Sequence, residues 1–238
     1  MAEIVSGEAY VAAMSRRASD QHMRAAFQRL ALSQLRPGMR IFDFGCGPGI
    51  DARHYARSGM QVEAYDVDES MCASFRVYCR EFIASGQMTI TGGDYAGFVA
   101  ASGDGCIDLV TSNFAPLNLA PELPSLFARF HRLTHPAGRV LVSVLNPWFW
   151  KDARYGWWWR GRLHLSRNGE IVVQGAQAPV VRRSVRRLAE LAAPHFDLAG
   201  VYRADGRALR LRDGEVSNAL GRARSKFFFL IFTKRPRP

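Results

Sequence analysis

Three closely spaced glycines between a predicted strand and a predicted helix constrain the fold more than any other feature of the chain. Gly45, Gly47 and Gly49 follow the apolar run 39–44 and precede a helical pattern over 51–58. Glycines let the backbone turn sharply and let a ligand approach it closely, and the first turn of the next helix offers unpaired amide groups. This strand–loop–helix unit predicts a ligand site at the carboxyl end of a parallel sheet.

Short apolar runs alternate with helical patterns along most of the chain. Because a helix separates each early strand from the next, we expect parallel strands in one sheet with helices on both faces. The right-handed crossover rule then gives an open, doubly wound α/β fold with a mostly parallel, seven-stranded sheet. Strands are predicted over 39–44, 61–65, 88–91, 107–111, 139–145, 196–202 and 227–233, and helices over 8–35, 51–58, 69–84, 123–133 and 184–193.

The chain of 238 residues has the length of one large domain with an insertion. The insertion stands out because all five tryptophans lie within residues 148–159. The predicted regions are an N-terminal helical cap (1–38), a Rossmann-like core (39–145), an aromatic-rich insertion after the fifth strand (146–180) and the C-terminal part of the core (181–238).

An Asn-Gly pair inside the insertion predicts a β-hairpin. Asn168 and Gly169 lie between short extended runs, and this dipeptide favours the type I′ turn that joins two antiparallel strands. The turn would place Arg167 opposite Glu170, where their opposite charges would attract. We therefore expect a hairpin over residues 162–174.

Two carboxylates flank the glycine loop and indicate the kind of ligand. Asp66 ends the second predicted strand, where an acid can accept two hydrogen bonds from a ribose diol. Asp43 lies two residues before the first glycine, where it would repel a pyrophosphate but attract a cation. The dinucleotide pattern also needs Gly or Ala at the position of Ile50. These features favour a cationic nucleoside over a dinucleotide.

Five short motifs, in order and with the expected spacing, resemble those of class I S-adenosylmethionine-dependent methyltransferases. The first has the pattern acid-x-G-x-G-x-G, and the last is a Pro-Gly turn into the fifth strand. The motifs occupy residues 43–49, 66–71, 93–95, 107–114 and 135–141. The resemblance implies a doubly wound fold, S-adenosylmethionine as the cofactor and S-adenosylhomocysteine as the product.

The resemblance also implies which residues hold the cofactor. Asp66 would bind the ribose, while Val67 and Met71 would line the adenine. Asp94 would reach the adenine amino group, although the same aspartate can instead cap a short helix over 95–101. The implied cofactor-binding residues are Asp43, Gly45, Cys46, Gly47, Gly49, Asp66, Val67, Met71, Asp94, Tyr95, Asn113 and Phe114.

The methyl acceptor is expected to be an oxygen or nitrogen atom of a small, planar or apolar metabolite. The tryptophan segment follows the fifth strand, so it either forms an aromatic lid over the acceptor or fills a hydrophobic space under a surface loop. The identity of the catalytic residues stays open, and His54 and Tyr155 are the candidates. The candidate substrate-binding residues are Tyr10, Met14, Asn146, Trp148, Trp150, Lys151, Tyr155 and Trp157.

A net charge of +11 keeps a polyanion or a membrane surface in view as a partner. An RNA methyltransferase is the alternative function, and a noncatalytic module that binds S-adenosylmethionine or nucleic acid is a second. Base methylation is disfavoured because residues 112–115 read Ser-Asn-Phe-Ala, without the tandem proline of enzymes that methylate base amines, and no Pro-Cys pair occurs.

Four cysteines without metal-ligand spacing indicate reduced thiols in a cytoplasmic protein, and no metal site is expected. No uncharged apolar run has the length of a transmembrane span.

Overall fold

A computed structural model describes residues 18–174, 179–212, 215–216 and 223–236. The strands are β1 (Arg40–Phe44), β2 (Gln61–Asp66), β3 (Met88–Gly92), β4 (Ile107–Ser112), β5 (Thr134–Leu145), β6 (Glu170–Gln174), β7 (Pro179–Arg183), β8 (Phe196–Arg203), β9 (Leu211–Arg212), β10 (Glu215–Val216) and β11 (Phe227–Lys234). The helices are α1 (Ala18–Leu32), α2 (Ile50–Arg57), α3 (Glu69–Tyr78), α4 (Arg80–Ala84), α5 (Tyr95–Ala100), α6 (Leu123–Leu133), α7 (Gly156–Asn168) and α8 (Val185–Ala192). Two 3₁₀ turns lie at Pro116–Asn118 and Trp150–Arg154.

Seven strands form one sheet in the order β3-β2-β1-β4-β5-β11-β8. The first five are parallel, and β11 runs antiparallel to both of its neighbours. The predicted doubly wound, mostly parallel seven-stranded fold is thus confirmed. β2 and β3 lie on one side of β1, whereas β4 and β5 lie on the other. The strand order reverses between β1 and β4, so the crevice at their carboxyl ends is the expected ligand site.

Several predicted boundaries shift, and three of the shifts matter for the architecture. The helix expected over 69–84 is two helices that meet at Cys79. β5 begins at Thr134 rather than at residue 139. The boundary expected at residue 180 falls inside β7, so the insertion and the C-terminal region share a strand.

The hairpin expected over residues 162–174 is wrong. Asn168 is the last residue of α7, and Gly169 adopts a left-handed conformation with φ of 73° that ends the helix. The antiparallel hairpin is formed instead by β6 and β7, which places Glu170 opposite Arg183. The same Asn-Gly pair suits a hairpin turn and a helix terminus, because both need a positive φ after the last regular residue.

Helix α1 packs on the sheet through buried aromatic rings. Phe27 is fully buried, and its ring meets the ring of Phe229 on β11 edge-on at 5.2 Å between centroids. The same apolar layer contains Tyr55 of α2 and Ile41 of β1. This packing fixes α1 beside α2, where Arg24 and Gln28 reach Asp51 in the first turn of α2.

No helix among the described residues combines the length and the apolar character that crossing a bilayer requires.

Phe27→Ala is expected to lower the free energy of unfolding by about 3–5 kcal/mol, because it removes a buried aromatic ring and leaves a cavity under α1. The matched surface substitution is Leu163→Ala, which removes an apolar side chain that is 60% exposed. It is expected to change the free energy of unfolding by less than about 0.5 kcal/mol. Urea titration measures both. Equal effects of the two substitutions would contradict the packing described for α1.

Candidate functional site

A cavity of about 570 Å³ opens at the carboxyl ends of β1, β2 and β4. Its wall combines the glycine loop, the end of β2, the first turn of α3 and the segment that follows β4. Tyr65, Pro116 and Leu119 add to the wall, although sequence reasoning did not single them out. The predicted cofactor residues that line it are Gly45, Gly47, Asp66, Val67, Met71, Tyr95, Asn113 and Phe114.

Asp66 faces the glycine loop from the end of β2. Its Oδ2 accepts a hydrogen bond from the Gly47 amide at 2.7 Å, and its Oδ1 accepts one from the Asp68 amide at 3.0 Å. Burial raises the pKa of Asp66, and these two hydrogen bonds oppose that shift. Each carboxylate oxygen retains a lone pair, so Asp66 can still accept from a diol in the cavity.

Gly47 leaves open space above the loop. Its φ is 54°, and a Cβ added there would meet no atom within 4 Å. The sequence needs glycine here for its backbone conformation, and the open space allows a ligand to touch the main chain. Gly45 differs, because its Cβ would lie 2.5 Å from the Pro116 ring. That glycine allows the loop and the segment after β4 to approach each other.

Asp43 lies beneath the loop, where it is almost completely buried. Its Oδ1 accepts a hydrogen bond from the Thr111 hydroxyl at 2.9 Å, whereas Oδ2 has no partner among the described residues. Burial and the neighbouring Asp51 raise the pKa of Asp43 to about 8. A buried carboxylate oxygen without a partner is costly. Asp43 does not line the cavity itself, so a cation bound above the loop would act on this carboxyl group through its field and favour its ionised form. The residues present therefore fit a cationic ligand such as S-adenosylmethionine.

Asp51, which sequence reasoning missed, joins three parts of the chain. It lies in the first turn of α2, and its Oδ1 accepts a hydrogen bond from Gln28 Nε2 at 2.7 Å. Its Oδ2 accepts from Asn113 Nδ2 at 3.1 Å and forms a salt bridge with Arg24. The signal in the sequence that could have revealed this residue is an aspartate on the otherwise apolar, buried face of α2. This carboxylate ties α1 to the wall of the cavity.

The segment after β4 is held in an unusual conformation. Phe114 and Ala115 both have positive φ, 60° and 69°, which costs free energy for residues other than glycine. The Phe114 amide donates to the Ser143 hydroxyl at 2.7 Å, and the Arg24 guanidinium lies 4.4 Å from the centre of the Phe114 ring. These contacts hold the Phe114 ring at the wall of the cavity.

Four of the predicted cofactor residues lie outside the cavity wall: Asp43, described above, and Cys46, Gly49 and Asp94. Cys46 is half-buried within the loop, and burial raises the pKa of its thiol. A Cβ on Gly49 would lie 2.7 Å from both Phe75 and Cys79, so this glycine is required for packing. Asp94 caps α5 by accepting from the Gly97 amide at 2.8 Å. Its contact with adenine stays a prediction.

The substrate candidates on the insertion do not line this cavity. Asn146 is fully buried, where its side chain donates to the Ser225 carbonyl oxygen at 2.7 Å and accepts from the Trp148 amide at 2.9 Å. Trp157 is half-buried, with the Arg182 guanidinium 4.8 Å from its ring centre. Both side chains therefore make structural contacts, and their contact with a substrate stays a prediction.

The remaining candidates do not line the cavity either. Trp150, Lys151 and Tyr155 are exposed on the outside of the insertion. His54 on α2 is absent from the cavity wall, and partial burial lowers its pKa. The structure therefore does not bring the two catalytic candidates, His54 and Tyr155, to the cavity. Tyr10 and Met14 lie outside the described residues.

A family model described as a methyltransferase domain matches residues 12–177. The chain belongs to this methyltransferase family. The match spans the glycine loop, both flanking acids and the aromatic insertion. It confirms the resemblance to class I S-adenosylmethionine-dependent methyltransferases.

Curated relatives are similar over part of their length. The malonyl-[acyl-carrier protein] O-methyltransferase of Erwinia pyrifoliae is 30% identical over 168 residues, which are 68% of this chain and 61% of that protein. The ubiquinone biosynthesis O-methyltransferase of Pseudomonas aeruginosa is 32% identical over 110 residues, 46% of this chain and 45% of that protein. The chain thus spans about half to three fifths of the length of these relatives.

A solved structure shares the fold at lower identity. The 1,6-didemethyltoxoflavin-N1-methyltransferase of Burkholderia thailandensis, with bound 1,6-didemethyltoxoflavin and S-adenosylhomocysteine, is 19% identical. The alignment covers 91% of this chain and 79% of that chain, with a TM-score of 0.61.

The affinity for S-adenosylhomocysteine is expected to rise with pH up to about 8, because a cation beside Asp43 stabilises its carboxylate form and binding then releases a proton. Below that pH the slope approaches about tenfold per pH unit. Calorimetry in buffers of different ionisation enthalpy measures both the affinity and the released proton. Asp43→Asn is the control, and it should remove the proton release and flatten the profile. An equal slope in the two proteins would contradict the role given to Asp43.

Asp66→Ala is expected to weaken S-adenosylhomocysteine binding at least about a hundredfold, because two hydrogen bonds to a charged acceptor are lost. Asp108→Ala also removes an aspartate side chain, but near the start of β4, at the opposite end of the strands from the cavity. There Asp108 accepts a hydrogen bond from the Arg40 amide at 2.9 Å. This control should bind normally. Equal affinities of the two variants would show that Asp66 does not contact the ligand.

Proposed function

We propose that the chain is an S-adenosylmethionine-dependent O-methyltransferase that acts on a small-molecule acceptor. The unpartnered, buried oxygen of Asp43 beneath an open glycine loop carries this proposal. That oxygen suits the cationic end of the cofactor, and Asp66 on the other side of the loop suits its ribose. The names of the curated relatives, both O-methyltransferases, support oxygen as the acceptor atom.

S-adenosylmethionine would supply the activated methyl group, and the residues of the chain would hold the cofactor and the acceptor in position. Asp43 and Asp66 would fix the two ends of the cofactor relative to the loop. Asn113 and Phe114 follow β4 on the same cavity wall, so they would border the acceptor beside the methyl group. Holding two reactants in line accounts for a large part of such catalysis.

The cavity wall next to Phe114 is mostly apolar. Its residues after Phe114 along the chain are Pro116, Leu119, Ala120 and Pro121. An apolar wall favours an acceptor with a large apolar surface and a single polar reacting group. A carboxylate acceptor is ionised at neutral pH and needs no general base, whereas a phenol must lose its proton. The described wall places no histidine near Phe114, which favours the carboxylate.

Methyl transfer is tested with S-adenosylmethionine and two pairs of acceptors. One member of each pair offers oxygen, as a malonyl thioester or an apolar phenol, and the other carries an amino group in place of the reacting oxygen group. Mass spectrometry of the products is expected to show methyl esters with the carboxylate acceptor and no methylated amines. Asp43→Asn and Asp66→Ala should each reduce kcat/KM at least about tenfold, while Asp108→Ala should not. Methylation of amines alone, methylation of RNA alone, or cofactor binding without transfer to any acceptor would contradict the proposal.

A further inference from the structure

The outer face of the aromatic insertion is an exposed patch of apolar and basic side chains. We refer to it as the aromatic–basic patch, formed by Trp150, Tyr155, Trp159, Arg160, Arg162 and Leu163. Its large apolar members are 43–60% exposed. None of these six residues lines the cavity described above. The patch is therefore a surface that the proposed methyl transfer does not use.

The packing of α7 directs this patch outward. Gly161 and Leu165 are buried against the β6–β7 hairpin, and a Cβ on Gly161 would lie 1.6 Å from the Ile171 side chain. Successive residues of a helix are about 100° apart, so Trp159 and Leu163 lie on the face opposite that contact. They are 58% and 60% exposed. The close helix–hairpin contact is possible only because residue 161 lacks a side chain.

The charge of the segment is strongly one-sided. Residues 150–168 contain five lysines and arginines but a single carboxylate, Asp152. That carboxylate is held by Arg182 in a largely buried salt bridge, so it does not neutralise the surface. The exposed cations share the patch with the rings: the guanidinium of Arg162 lies 4.9 Å from the ring centre of Trp158, and that of Arg154 lies 4.7 Å from Tyr155.

We propose that the aromatic–basic patch binds the surface of an anionic lipid bilayer. Tryptophan and tyrosine have an apolar body and a polar edge, which suits the headgroup level of a membrane, and leucine extends deeper. Arg160 and Arg162 flank the Trp159–Leu163 ridge, where they can meet anionic headgroups while the ridge inserts. A helix lying in the plane of the interface satisfies both requirements. The net charge of +11 adds a long-range attraction to the same surface.

The patch is connected to the cavity wall through the β6–β7 hairpin. Val181 on the hairpin beneath α7 accepts a hydrogen bond, through its carbonyl oxygen, from the Asn118 side chain at 2.7 Å. Asn118 belongs to the 3₁₀ turn whose first residue, Pro116, lines the cavity. The next wall residue, Leu119, is 56% exposed. The anchored helix α7 would therefore be connected to the cavity wall through the β6–β7 hairpin and this turn.

The chain carries its own reporter for this test, because all five tryptophans lie within residues 148–159. Tryptophan emission of the full chain is recorded while vesicles are added, either of phosphatidylcholine alone or of phosphatidylcholine with phosphatidylglycerol. Vesicle co-sedimentation gives the affinity. Anionic vesicles are expected to shift the emission to shorter wavelength and to bind at least about tenfold more tightly than neutral vesicles. Added salt should reverse the binding.

Matched double variants separate the patch from the overall charge. Arg160→Glu with Arg162→Glu is expected to weaken binding to anionic vesicles at least about tenfold. Arg57→Glu with Arg80→Glu makes the same change of charge on exposed residues of α2 and α4, and it should retain most of the binding. Retained binding of S-adenosylhomocysteine verifies that each variant is folded.

Three outcomes would overturn the proposal. The first is an equal loss of vesicle affinity in the two double variants. The second is vesicle binding that does not depend on anionic lipid, and the third is no binding to vesicles at all. Titration with an acidic acyl carrier protein in place of vesicles provides the comparison. An emission shift with that protein but not with anionic vesicles would assign the patch to a protein partner instead.

Discussion

The structure depends on a buried carboxylate that the fold itself leaves incompletely satisfied. Asp43 lies at the end of the central strand, where one oxygen binds Thr111 and the other has no partner among the described residues. Desolvation and the adjacent Asp51 raise its pKa to about 8. The glycine loop above it is open, and Asp66 lies on the other side of that loop. This unsatisfied oxygen explains why the site favours a ligand that carries a positive charge.

Asp51 shows how the same region becomes rigid. Its carboxylate gathers Arg24 and Gln28 from α1 and Asn113 from the segment after β4. Three elements that are distant in sequence therefore meet at one side chain, and the Phe114 ring is held against the cavity by the same arginine. A buried acid with several partners is costly to disrupt, so the geometry of the cavity wall depends on it.

Sequence reasoning predicted the parallel sheet and eight residues that line the cavity, because glycine spacing, strand ends and acids are local signals. It failed where tertiary contacts decide. The Asn-Gly pair at 168–169 ends a helix instead of turning a hairpin. Gly161 lets α7 pack closely on Ile171, and this tertiary contact outweighs the weak helix propensity of the three tryptophans in α7. It also missed Asp51, whose partners come from other parts of the chain. Composition alone does not explain the net charge of +11, but part of the excess positive charge is concentrated around the aromatic–basic patch.

The direct test of the central claim is the titration of the Asp43 carboxyl group itself. Its ¹³Cγ chemical shift, assigned by comparison with Asp43→Asn, is followed against pH with and without S-adenosylhomocysteine. The structure predicts a midpoint near 8 in the ligand-free protein and a clearly lower midpoint in the complex. A midpoint near the ordinary aspartate value of about 4 in the ligand-free protein, or no change on binding, would contradict the account.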